Sequence, residues 1–348
     1  MTTPTPELEA FLRSFYGPLD NAEAIDRFNL EALCALQGQE RALAEQLLLD
    51  RLAAGIVDTR VPAALAAMGS AAAPPHLHRA LDALPAGPQR VAVAKALAAL
   101  EPGFASLPVM TEGLGAVDPR GRVDAAFELR HVLGDEADEA LIAALADPDE
   151  MVRLNAQDSL FEKHGLAELR RPLPSKANVL ALALSSSLAA VRGPAIAELR
   201  RVLHGLQSGQ SREALGLVYP GEADSADRQA FLASVHAKRD EDGPWRQDYD
   251  LAALQRLPAH DRPWILVMLH EALAGSSWKD PDPRAPRAMA ALGWGEFLPA
   301  LREALPLAAP ALAAEIRQAI DHLAGAAPGC AHAHSDLRGL RQLPRRER

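Results

Sequence analysis

Cysteine is almost missing from this chain: 348 residues hold two, Cys34 and Cys330, far apart in sequence. Such a pair builds no disulfide framework, and a reducing compartment, the cytoplasm, is the expectation. Aromatic residues make up only 4% of the chain and β-branched residues are sparse, so the material of sheets is thin. Basic charge is outweighed: 36 Lys and Arg against 46 Asp and Glu leave a net charge of −10. That balance argues against a protein that grips nucleic-acid phosphates with a basic face. No apolar run approaches the roughly 18 residues of a membrane span. The stretch from Met1 to Leu12 is polar and acidic, with no basic flank and apolar core of signal-peptide type. The motifs G-x-S-x-G, H-E-x-x-H and the P-loop are all lacking, and Gly113-Leu114-Gly115 lacks the third glycine of a dinucleotide loop.

What is there forms helices. Ala and Leu dominate, both strong helix formers, and a 49% hydrophobic fraction is ample for a core. The main signal is internal periodicity. Val152-Arg153, Ala156 and Leu160 return 39 residues later as Val191-Arg192, Ala195 and Leu199, and Arg90-Val91 and Arg122-Val123 begin weaker copies. Val, Ala and Leu spaced by four lie along one helical face, with the small residue letting neighbouring helices approach. The turn Asp147-Pro148-Asp149 stops one helix and starts the next, since Asp is a good N-cap and Pro fits only a helix's first turn. A hairpin of this kind leaves an apolar face bare, so the units are expected to stack.

The pattern from Asp147 to Leu160, DPDEMVRLNAQDSL, resembles the HEAT repeat family and its short bacterial units, best over about residues 88–200. The resemblance implies an all-α fold, an α-solenoid of stacked antiparallel helical hairpins of HEAT-like or armadillo type. It also implies that Asp147 and Arg153 pair, as the turn Asp and second-helix Arg of that family often do.

The two ends resemble each other as well. Phe28-Asn29-Leu30, Leu33 and Leu36 match Tyr249-Asp250-Leu251, Leu254 and Leu257; Arg41, Leu48 and Leu52 match Arg262, Leu269 and Leu273. Past an insertion near Trp278 to Pro283, Val61–Ser70 matches Ala285–Trp294, and the offset moves from 221 to 224. The expected organisation is an N-terminal arm with HEAT-like repeats over 1–204 and an irregular connecting segment with one helix over 205–248. A C-terminal arm over 249–325 resembling 28–100 and a tail over 326–348 complete it, the whole as one continuous solenoid. Gly and Pro in the connecting segment interrupt the rhythm.

Candidate chemistry is thin. His270-Glu271 is a single pair, whereas the HEAT-like deoxyhypusine hydroxylases use several to hold iron. His76 and His78 stand two apart, which points them to different helical faces. Cys330, His332, His334 and Asp336 are ligand types that zinc or copper accepts, but they lack a second ligand group in register, and no metal or cofactor is expected. No enzyme activity is expected either.

Two features read as a binding surface. Acidic residues collect at turns: Asp135, Glu136, Asp138 and Glu139, then Asp149 and Glu150. All four tryptophans fall late; Trp264 reads as core, while Trp245 and Trp278 stand among polar loop residues. The expectation is a non-catalytic solenoid acting as adaptor, regulator or immunity protein, with a basic, toxin-like protein as partner. The alternatives are a HEAT-like enzyme or chaperone of bilin-lyase type, or a nucleic-acid-binding HEAT-like protein.

Overall fold

The computed structural model describes residues 4–16, 28–55, 58–167, 176–218, 225–235, 248–275 and 280–325. These residues form eighteen α-helices, with short 3-10 turns and no strand among them. None of these helices is long and apolar enough to cross a membrane. The chain divides into two compact units, Met1–Ala144 and Leu145–Arg348.

The first unit holds α1 (Pro6–Tyr16), α2 (Leu30–Ala35), α3 (Gly38–Ala53), α4 (Arg60–Met68), α5 (Pro74–Ala83), α6 (Pro88–Leu100), α7 (Leu107–Gly113), α8 (Pro119–Glu128) and α9 (Asp135–Ala144). Proline opens α5, α6 and α8, where its missing N–H costs nothing. Helices pack against their neighbours and also against the next but one: α2 on α4, α3 on α5, α4 on α6 and α6 on α8. Glycine permits the last approach. A Cβ on Gly121 would lie 2.8 Å from the Cα of Gly87, the residue that precedes α6.

The second unit holds α10 (Glu150–Lys163), α11 (Lys176–Ser185), α12 (Ala189–Gln207), α13 (Ala226–Val235), α14 (Leu251–Arg256), α15 (Arg262–Ala274), α16 (Ala285–Leu292), α17 (Leu298–Ala304) and α18 (Pro310–Gly325). Glu303 in α17 caps α12, its carboxylate accepting from the amides of Ala189 and Ala190 at 2.7 Å each.

The resemblance between the ends extends beyond 28–100. Helices α13 to α18 repeat α1 to α6 in order, and the principal contacts repeat with them: α1 on α2, α2 on α4, α3 on α4 and α5, and α6 on α4 and α5 have their counterparts six for six. The hydrogen bonds repeat too. Ser14 Oγ donates to the Phe11 carbonyl at 2.7 Å and accepts from the Asn29 amide at 3.0 Å. Ser234 does the same with Phe231 and Asp250, at 2.6 and 2.9 Å. Asn29 and Asp250 then cap α2 and α14 by accepting from Ala32 and Ala253. The helix expected in the connecting segment is thus the first helix of the second copy.

A second recurring device ties the turns. Arg122, Arg153 and Arg192 each reach back to the carbonyls six and five residues earlier: Ala116 and Val117, Asp147 and Pro148, Ser186 and Ser187. Arg90 takes the Leu84 carbonyl, six residues back, and that of Leu81. Arg153 thus holds the Asp147 main chain, and the Asp147 carboxylate, which accepts from the Asp149 amide, adds the pull of its charge. Val152, Ala156 and Leu160, and Val191, Ala195 and Leu199, are buried on the face the periodicity assigned them.

Candidate functional site

Each copy is stapled by an Asp-x-Arg turn. In the first, the Asp58 carboxylate accepts from the Arg60 amide at 3.0 Å and from its guanidinium, which stacks over Phe28 at 4.5 Å. In the second, Asp282 accepts from the Arg284 amide at 2.9 Å and from its Nε and Nη2 at 3.0 and 2.8 Å. Arg284 lies 4.4 Å over the ring of Tyr249, whose hydroxyl donates to Asp282 at 2.7 Å. Its Nη1 also donates to the Ser234 carbonyl, which fastens the end of α13. Asp282 and Arg284 are 1% and 2% exposed, against 18% and 6% for Asp58 and Arg60, so the second staple is the drier one.

Burial sets the ionisation here. Burial alone would raise the Asp282 carboxyl, but the hydrogen bonds from Arg284 and Tyr249 outweigh it and hold it below the usual carboxylate range. Tyr249 is pushed up, first by burial and then by the Asp282 charge. His270 in α15 sits edge-on to Phe297 at 5.4 Å, and burial pushes its pKa down to about 4. Its Nε2 is buried with no hydrogen-bond partner, so the residue lies inside the core. A second dry pair, Arg228 with Asp261 at 2.8 Å, joins α13 to the 3-10 turn before α15. These groups hold the fold together and are closed to a reactant.

A half-open cleft of about 290 Å³ lies among α14, α15 and α16. Leu254, Leu257, Pro258, Ile265 and Leu292 give it an apolar lining, to which Gln255, Arg262 and Trp294 add polar atoms. Small-molecule sites span roughly 300–1,000 Å³, so this volume suits one or two side chains. At the mouth, Arg262 lies over the Trp294 indole at 4.4 Å and donates to Glu296 at 2.6 Å. The indole also stacks on Phe297.

The described residues read from the sequence as partner-binding divide between the two units. Asp135 and Glu136 are exposed in the first turn of α9. Asp138 is corrected: it is 7% exposed, because it shares a helical face with the buried Leu141 and Ile142 and cannot meet a partner. Asp149 is the N-cap of α10, accepting from Met151 and Val152, and Glu150 follows it; both belong to the second unit. Trp264 is core, as expected, at 1% exposed. Trp245, Trp278, Cys330, His332 and His334 lie outside the described residues, among which no group of three His, Cys, Asp or Glu stands ready for a metal ion. Sequence reading missed the Asp58/Arg60 and Asp282/Arg284 staples and the Arg262/Trp294 mouth. The staples had a visible signal, since Asp-x-Arg recurs at the same 224-residue offset as the arms.

Compared with known proteins, the chain matches no family model, no curated protein sequence and no solved structure.

Proposed function

We propose that this chain is a non-catalytic, HEAT-like binding protein that recognises a basic protein partner. The observation that carries this reading is a division of labour in the second unit: the groups with strongly shifted ionisation are sealed in structural contacts, while a side-chain-sized cleft lies open. A general acid or base must reach its substrate, and Asp282, Tyr249 and His270 are enclosed. The HEAT-like part of the reading is supported by next-but-one helix packing, as stacked hairpins require, and by the recurrence of the arginine-to-turn contacts at Arg90, Arg122, Arg153 and Arg192. The net charge of −10 favours a positively charged partner and speeds its approach. Neutralising a basic toxin is a role that such charge suits.

The test is affinity capture with the tagged full chain at low and moderate salt, followed by mass spectrometry. One stoichiometric basic protein, released as salt rises, is the expected result. Recovery of the bait alone at both salt concentrations overturns the reading.

A further inference from the structure

We infer that the cleft among α14, α15 and α16 receives an arginine side chain of the basic partner, a reading that rests on the function proposed above and names its point of contact. In the first copy the chain's own arginine stands at the matching place. There Arg41 of α3 donates to the carbonyl of Met68, the last residue of α4, and Cys34 contacts the carbonyl of Ala67 beside it. The final carbonyls of a helix have no donor within it, and the helix dipole favours a cation there. A guanidinium answers both needs.

The second copy keeps the arginine, as Arg262, and the helix end, as Ala291 and Leu292 of α16. Its guanidinium is held elsewhere, over Trp294 and on Glu296. Those two residues stand where the first copy has Ser70 and Ala72, neither of which offers an indole face or a carboxylate. Two replacements thus draw the native arginine away from the helix end, and an open cleft walled by Ala291 and Leu292 is the result. Leu254, Leu257 and Ile265 suit the methylene stem of an incoming arginine, which buries against apolar surface while its head seeks acceptors. The end of α16, whose last residues Ala291 and Leu292 line the cleft, supplies carbonyl acceptors. Arginine fits better than lysine because its planar fork can serve two acceptors at once.

The experiment titrates the full chain with the peptide Ac-Leu-Arg-Leu-NH2, followed by NMR at the amides of Leu292 and Gly293 and the indole of Trp294, with Ac-Leu-Glu-Leu-NH2 as control. Saturable shifts with the arginine peptide alone are expected. The double variant Trp294→Ser/Glu296→Ala restores the first copy's residues, so Arg262 is expected to turn onto α16 and weaken the peptide by about tenfold or more. The inference is overturned if the glutamate peptide binds instead, if no shift occurs at these atoms, or if the double variant binds as well as the native chain. A tenfold gain in affinity in Arg338→Glu/Arg341→Glu would assign the cleft to the chain's own C-terminal segment and overturn it too. A captured basic partner that ignores the double variant would keep the functional reading and overturn the cleft as its contact.

Discussion

Set α1–α6 beside α13–α18, and the same scaffold appears with two different interiors. What is kept is local and directional: the serine link between the first two helices, the Asn29 or Asp250 cap, and the Asp-x-Arg staple under an aromatic ring. What changes is polarity. Leu8, Leu49 and Phe28 of the first copy become Arg228, His270 and Tyr249, all buried in the second. Hydrogen bonds with fixed geometry specify where helices meet, whereas packing positions along them tolerate polar replacements when partners come too. Arg228 comes with Asp261 and Tyr249 with Asp282, while His270 is accepted as a neutral ring.

The largest effect is expected at the staples. Arg284→Ala leaves the Asp282 carboxylate buried and short of its main partner, which costs about 3–5 kcal/mol. Arg60→Ala removes the same contact in the first copy, but Asp58 is partly exposed and water can replace the guanidinium; the loss there should be about 1–3 kcal/mol. Urea unfolding of both variants checks the order. Equal losses would show that burial does not distinguish the copies.

Much of the scaffold was legible in the sequence. Ala-rich periodicity and the Asp-Pro-Asp turn announced helices, and the V-R-x-x-A-x-x-x-L pattern marked side chains that are indeed buried or tied to turns. The kinship of α1 and α13 was not legible. It rests on few residues, Phe11 and Ser14 against Phe231 and Ser234, at an offset of 220 where the rest of the arm runs at 221. Asp138 was misread because an acid in a helix's first turn usually faces water, and the spacing to Leu141 and Ile142 was the better guide. The cleft needs residues from three helices, with Arg262 and Trp294 far apart in sequence, so only the fold brings it together.

A second contrast concerns acid. His270 has a folded pKa of about 4, below the unfolded value near 6.5, so the unfolded chain binds the proton first as pH falls. Stability is fully present above the unfolded pKa, declines as pH drops through the window between the two, and falls no further from this group below the folded pKa. His270→Leu, which installs the residue of the first copy at Leu49, should remove about 2–3 kcal/mol of the loss between pH 7 and pH 4.5. Urea midpoints for the variant and the native chain at both pH values measure this difference, with the carboxylates common to both. Parallel curves would mean that the ring gains a proton inside the fold without penalty.

The smallest effect tests what the copies share. Ser14 and Ser234 each link two helices by donating to a carbonyl of the first and accepting from the capping residue of the next. Serine to alanine removes both bonds and leaves the Asn29 or Asp250 amide to find another acceptor, a cost of about 1 kcal/mol. Neither Asn29 nor Asp250 depends on the serine for its own cap, since each side chain accepts from its own helix. The loss should therefore stay local and be nearly the same for Ser14→Ala and Ser234→Ala, whatever the difference in buried charge around them. Hydrogen exchange at the Asn29 and Asp250 amides reads each link separately. Equal acceleration at the two sites would place the serine link in the shared scaffold, and acceleration at only one would show that the polar interior of the second copy has reached even this joint.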